Sequence, residues 1–85
     1  MTEPDGGHDR HVFEALRRNA VEVVPELDEG AFTRDRTLSQ LGCNSIDRAE
    51  IVTMTMEELG ISVPVHEFGQ GHDIGTLVRV LRAHS

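Results

Sequence analysis

The sequence predicts an all-α domain: a small irregular bundle of three main helices plus one short helix, with a long loop between helices one and two. Three observations predict it. Apolar residues recur at helical spacing in three separate stretches. Cap and stop residues bound those stretches: Asp9 and Pro25, Asn44 and Gly60, then Asp73. No stretch makes a convincing sheet strand. The chain has 85 residues, which is room for one core and no second domain.

Residues 1–8 (MTEPDGGH) read as a flexible tail, and residues 9–85 as the folded domain. Asp9 is the expected N-cap of helix one, in which Val12, Phe13, Leu16, Ala20, Val23 and Val24 fall at helical spacing before Pro25 stops it. Residues 25–43 keep no period. Leu27, Phe32, Leu38 and Leu41 are the expected anchors of this long connection, with a short helical turn near Thr37 to Leu41. Asn44 opens helix two, with Asp47 in its first turn. Ile46, Ala49, Val52, Met56 and Leu59 step by three and four, so they are expected to share its apolar face. Gly60 ends it as a left-handed cap residue. Ile61, Val63 and Val65 alternate around Pro64 in an extended link, and His66 to Phe68 form a short turn. Asp73 caps the last helix, whose core stripe is Ile74, Leu77, Val78 and Leu81.

Composition limits the function. Hydrophobic residues are 38% of the chain and aromatic residues 4%, enough for a thin aliphatic core. That leaves little to wall off the pocket of roughly 300 Å³ or more that a drug-sized substrate needs, which argues against a self-contained enzyme. The formal charge is −7, and all eight basic residues are Arg. An acidic chain is a poor ligand for nucleic acid or an anionic membrane, and a good one for a basic protein surface. A single cysteine, Cys43, excludes an internal disulfide framework and fits a cytosolic setting. No apolar run approaches the ~20 residues of a membrane span, and the N-terminus lacks the parts of a signal peptide.

The informative stretch is Leu41-Gly42-Cys43-Asn44-Ser45-Ile46-Asp47. A flexible Gly hands over to a Ser in the first turn of a helix, where backbone N–H groups and the positive dipole end point outward. Such a Ser suits a place where phosphate is attached or held, though Asn44 and Ser45 are also ordinary capping residues.

The run from Leu41 to Val52, followed by Glu57-Glu58-Leu59-Gly60-Ile61-Ser62-Val63-Pro64, resembles the acyl carrier protein family. That family's pattern is Leu-Gly-x-Asp-Ser-Leu-Asp-x-x-Glu-Leu-Val, then an acidic helix end and a link closing on Ile-Pro. Here Asn44 stands for the usual Asp and Ile46 for the usual Leu. The resemblance implies that Ser45 carries phosphopantetheine, added by a phosphopantetheinyl transferase, with acyl groups riding as thioesters on the arm. It implies a non-catalytic, monomeric carrier, the substrate of its partner enzymes. The expected docking set is Asn44, Ile46, Asp47, Arg48, Glu50, Met54, Glu57 and Glu58. Residues 47, 50, 54 and 58 fall on one stripe, with Met54 among the acids. Arg48 interrupts the acids, where it can pair with a partner carboxylate, with the prosthetic phosphate, or only locally.

A finer resemblance lies in Ser45-Ile46-Asp47-Arg48-Ala49-Glu50-Ile51, Val63-Pro64-x-x-Glu67-Phe68-Gly69 and Asp73-Ile74-Gly75-x-Leu77-Val78. These are similar to the discrete donor carriers of polyketide β-branching cassettes, while His66, Gln70 and His72 depart from them. A carrier of that kind holds malonyl and then acetyl. Its implied partners are an acyltransferase, a ketosynthase-like decarboxylase and a hydroxymethylglutaryl-type synthase. The start at Met1 and the end soon after the last helix fit a free-standing carrier. The alternatives are a peptidyl carrier and a helical interaction module with no prosthetic group.

Other chemistries lose. A hydrolase triad on Ser45 lacks the Gly-x-Ser-x-Gly turn and a sheet to carry it. Cys43 is expected as a small buried filler rather than a nucleophile. His8 and His11 have no further ligands at zinc spacing. Met56 is expected in the core, while Met54 is the methionine that can face a partner or the arm.

Overall fold

A computed structural model describes the backbone of residues 4–64, 68 and 72–84, and the side chains of 9–64, 68 and 72–84. Its helices are α1 (Pro4–Val23), α2 (Ser45–Leu59) and α3 (Ile74–Ala83), with 3-10 turns at Glu29–Ala31 and Ser39–Leu41. Among the described residues there is no strand, only an isolated antiparallel bridge between Thr37 and Asp73. The expected all-α class is what the chain adopts. The expected turn at His66 to Phe68 lies largely outside the described residues.

α1 begins at Pro4, ahead of the Asp9 cap expected from the sequence. Proline is well suited to a first helical position, because its fixed φ is helical and its missing N–H is not needed there. Gly6 and Gly7 are poor helix formers and hid this start. Helical backbone therefore reaches into the segment read as a tail. Asp9 caps nothing. It sits inside the helix, where its carboxylate lies 3.0 Å from Arg82 Nε on α3.

α1 is the central helix: α2 and α3 both pack on it and meet each other far less. Its Val12, Ala15, Leu16 and Ala20 are buried, and the core continues through Ile51 and Val52 of α2 and Ile74, Leu77, Val78 and Leu81 of α3. The long loop is held to this core by Leu27, Phe32 and Leu38, all buried, and by half-buried Leu41. Phe32 meets Phe13 edge to face at 5.3 Å, and Arg34 covers the other ring from 5.2 Å.

The apolar face of α2 differs from the expected one. Ile46 is 75% exposed and Ala49 is exposed, so neither belongs to the core. The side pressed on α1 is built by Ile51 and Thr55, both fully buried. Thr55 hid this face because it is polar. Its hydroxyl donates to the Ile51 carbonyl at 2.8 Å and accepts from Asn19 Nδ2 on α1 at 3.0 Å, so its burial leaves no group unpaired.

The loop also closes the head of α3. Ile74 N and Gly75 N donate to the carbonyls of Arg36 and Arg34, at 2.8 and 2.9 Å. A Cβ on Gly75 would stand 3.2 Å from the Arg34 carbonyl oxygen, a tight contact that the loop would have to yield to by a few tenths of an ångström. Asp73 Oδ1 accepts from Thr76 N at 2.8 Å, the expected N-cap.

Candidate functional site

The site is built around the head of α2. Gly42 turns the chain in a left-handed conformation (φ 94°), and buried Cys43 anchors it. Asn44 then caps the helix in both directions. Its Oδ1 accepts from Asp47 N at 2.8 Å, while its own N–H donates to Asp47 Oδ2 at 3.1 Å. Asn thus preserves the full capping box that an Asp would make, without a charge. Ser45 follows as the first helical residue, exposed on this rigid base.

Beside Ser45 opens a groove of about 280 Å³ between α2 and α3. Val52 and Met56 line one side, Leu77 and Phe68 another, and Leu38 a third. Ser45, Arg48, Thr53 and His72 are polar groups on its lining. The composition argued against a walled pocket near this size. The space lies beside two helices that both pack on α1 and touch each other little. It is predominantly apolar, and Ser45 is among the residues that line it.

The expected docking residues separate into groups. Ile46, Glu50 and Glu57 are exposed, at successive positions of the outward face, and Ile46 is the one strongly exposed large hydrophobic among the described residues. Asn44 and Asp47 are engaged with each other in the cap. Met54 is half-buried, so it is not the centre of the solvent face. Glu58 does not sit on a free stripe. Its carboxylate pairs with Arg18 and accepts from Asn19 Nδ2 at 3.3 Å, both on α1. The Arg18 hydrogen bond holds its carboxyl below the ordinary value. Arg48 is half-buried and turned back, its Nη1 donating to the Cys43 carbonyl at 3.3 Å.

Burial, and after it the charge of Asp47, raises the Cys43 thiol above its ordinary pKa. A buried protonated thiol is a filler and no nucleophile, as its place in the sequence suggested. Thr37, Thr53, Phe68 and His72 line the groove and were not anticipated. For Thr53 the signal was available. Residues 45, 49, 52, 53 and 56 form one helical row, but its apolar members read as core.

The description "Phosphopantetheine attachment site" matches residues 15–81. The chain belongs to the acyl carrier protein family. It is a non-catalytic carrier with a phosphopantetheine attachment site, and the three main helices and long loop of the family's expected layout are those of α1 to α3. The polyketide biosynthesis acyl-carrier-protein AcpK of Bacillus subtilis (strain 168) is 43% identical over 72 residues, spanning 85% of this carrier and 88% of that one. A chain from the crystal structure of the curacin biosynthetic pathway HMG synthase in complex with acetyl donor-ACP superposes with a TM-score of 0.78. It is 31% identical, with 88% of this carrier and 96% of that chain covered.

Proposed function

We propose that this carrier holds acyl groups on phosphopantetheine attached at Ser45 and serves polyketide biosynthesis as the acetyl donor to a β-branching synthase of the hydroxymethylglutaryl type. The observation that carries the attachment point is the placement of Ser45. It is an exposed hydroxyl in the first turn of a fully capped helix, at the mouth of an apolar groove. The donor role rests on the likeness to the curacin acetyl donor chain and to the Bacillus carrier, together with the Arg-Ala-Glu-Ile run that starts at Arg48.

When bound, the arm supplies a thiol for thioester exchange. The chain's own residues fix and present it. The Asn44–Asp47 box holds the helix head rigid, so Ser45 Oγ has a defined position for the transferase. The tether keeps the acyl group at high effective concentration near successive active sites. Ile46, Glu50 and Glu57 form the docking face, an apolar contact ringed by acids that a basic partner surface would grip. Asn44 and Asp47 shape its upper end, and Met54 and Glu58 its flank toward α1.

The test is functional transfer. The chain is loaded with acetyl-phosphopantetheine and mixed with a synthase of this type and a carrier bearing a β-ketoacyl group. Acetyl should leave this chain and appear in the branched product. Acetyl retained here, while a known donor carrier is consumed in parallel, would refute the donor role. A chain that accepts an aminoacyl group from an adenylating enzyme but no acetyl would favour the peptidyl reading.

A further inference from the structure

We infer that Arg48 holds the phosphate of the prosthetic arm against the rim of the α2–α3 groove, rather than presenting its charge to a partner protein. This rests on Ser45 as the attachment point. Residues three apart on a helix are neighbours, and helical side chains lean toward the N-terminus, so Arg48 leans toward the level of Ser45. Its guanidinium is found there, 3.3 Å from the carbonyl of Cys43, two residues ahead of Ser45. Arg48 and Ser45 line the same groove, and no other arginine lines it among the described residues.

Arg48 is half-buried, yet among the described residues its guanidinium hydrogen-bonds only the neutral Cys43 carbonyl. Among the described residues the ion pairs join Arg17 to Glu14, Arg18 to Glu58 and Arg82 to Asp9, and none involves Arg48. The nearest acid in sequence, Asp47, is occupied at Asn44 N. The neutral Asn44 adds no carboxylate, so Asp47 is the one acid in the first turn of α2, and among the described residues it makes no ion pair with Arg48. A phosphodiester on Ser45 Oγ supplies an anionic partner that Arg48 otherwise lacks among the described residues. Arg retains donors beyond the one given to Cys43, and its planar fork suits two phosphate oxygens at once. Seated so, the arm would enter the groove along Thr53 and Met56 and stay off the outward face used for docking.

The experiment uses full-length protein loaded by a broad-specificity transferase, with intact mass confirming one phosphopantetheine per chain. The Arg48 Nε–Hε resonance and the ³¹P line of the phosphodiester are then recorded. In the wild type, loading should shift the Arg48 signal, and the ³¹P line should be broad. In Arg48→Gln the line should narrow and move toward that of free pantetheine phosphodiesters. Arg48→Lys should fall between, and Glu50→Gln should match the wild type. The wild-type Arg48 signal needs no substitution, so the inference stays testable even if Arg48→Gln folds poorly. An Arg48 signal unmoved by loading, or one that moves only when transferase or synthase is added, overturns the inference and leaves the carrier reading standing. A chain that takes up no phosphopantetheine overturns both.

Discussion

The two sides of α2 differ in kind. Toward α1 the helix is closed: Ile51 and Thr55 are fully buried, Asn19 bridges to Thr55, and Arg18 pairs with Glu58. Toward α3 it is more open: Val52 and Met56 touch the core but also line a groove. One side fixes the helix that carries Ser45, and under the proposed function an arm on Ser45 would lie along the other. The acids follow the same division. Glu58 belongs to the closed side, while Glu50 and Glu57 remain on the outward face. A docking surface inferred from acid count alone would mix the two.

The largest effect should come from emptying the closed side. Ile51→Ala should cost about 2–5 kcal/mol in denaturant unfolding, because it removes buried contacts in a packed region. Met56→Ala, on the groove wall, should cost much less, since the space beside it is already open. Equal losses at the two positions would erase the distinction between the sides. Next comes the buried polar pair. Asn19→Ala should cost about 1–3 kcal/mol by leaving Thr55 without its donor and Glu58 without one partner. A neutral outcome would mean that Thr55 is held by Ile51 alone.

Charge reversal sharpens the comparison through kinetics. Glu50→Lys with Glu57→Lys should slow transferase loading about tenfold at low salt, a loss that shrinks as ions screen charges over roughly 8–10 Å. The matched reversal Glu22→Lys with Glu26→Lys changes net charge equally on an exposed surface of α1 and the turn after it. Equal slowing by both pairs would reduce docking to overall charge. The smallest effect is at the head of α3. The hydrogen bonds from Thr76 hold the Asp73 carboxyl below its ordinary 3.8. A lowered native pKa means that this cap's contribution is complete above the unfolded value and fades as pH falls through the folded one. Asp73→Asn keeps a capping oxygen that does not titrate. It should therefore flatten the loss of stability below about pH 4 while changing little at neutral pH.

The caps of α2 and α3 were legible because they are local, whereas the Asp9 cap failed because α1 starts at Pro4. Asn44, Gly60 and Asp73 each act within a few residues of their own position, and all three behave as their residue types imply. Leu27, Phe32 and Leu38 were legible as isolated apolar residues in polar surroundings, which have little reason to be there except burial. The rotation of α2 was not legible. Its buried face includes Thr55, whose polar group is satisfied by Asn19, a partner 36 residues away in sequence. The groove was likewise hidden, since Val52 and Met56 look the same to periodicity whether they meet a helix or an arm. Glu58 read as a surface acid for the same reason, with its partners on another helix.

The central claim is that Ser45 is the attachment point, and one measurement addresses it most directly. The chain and its Ser45→Ala variant are coexpressed with a broad-specificity phosphopantetheinyl transferase and examined by intact mass, with circular dichroism as the check on folding. The wild type should gain a single phosphopantetheine, and the variant none, with unchanged helical content. A folded Ser45→Ala chain that still gains the group would contradict the assignment of Ser45.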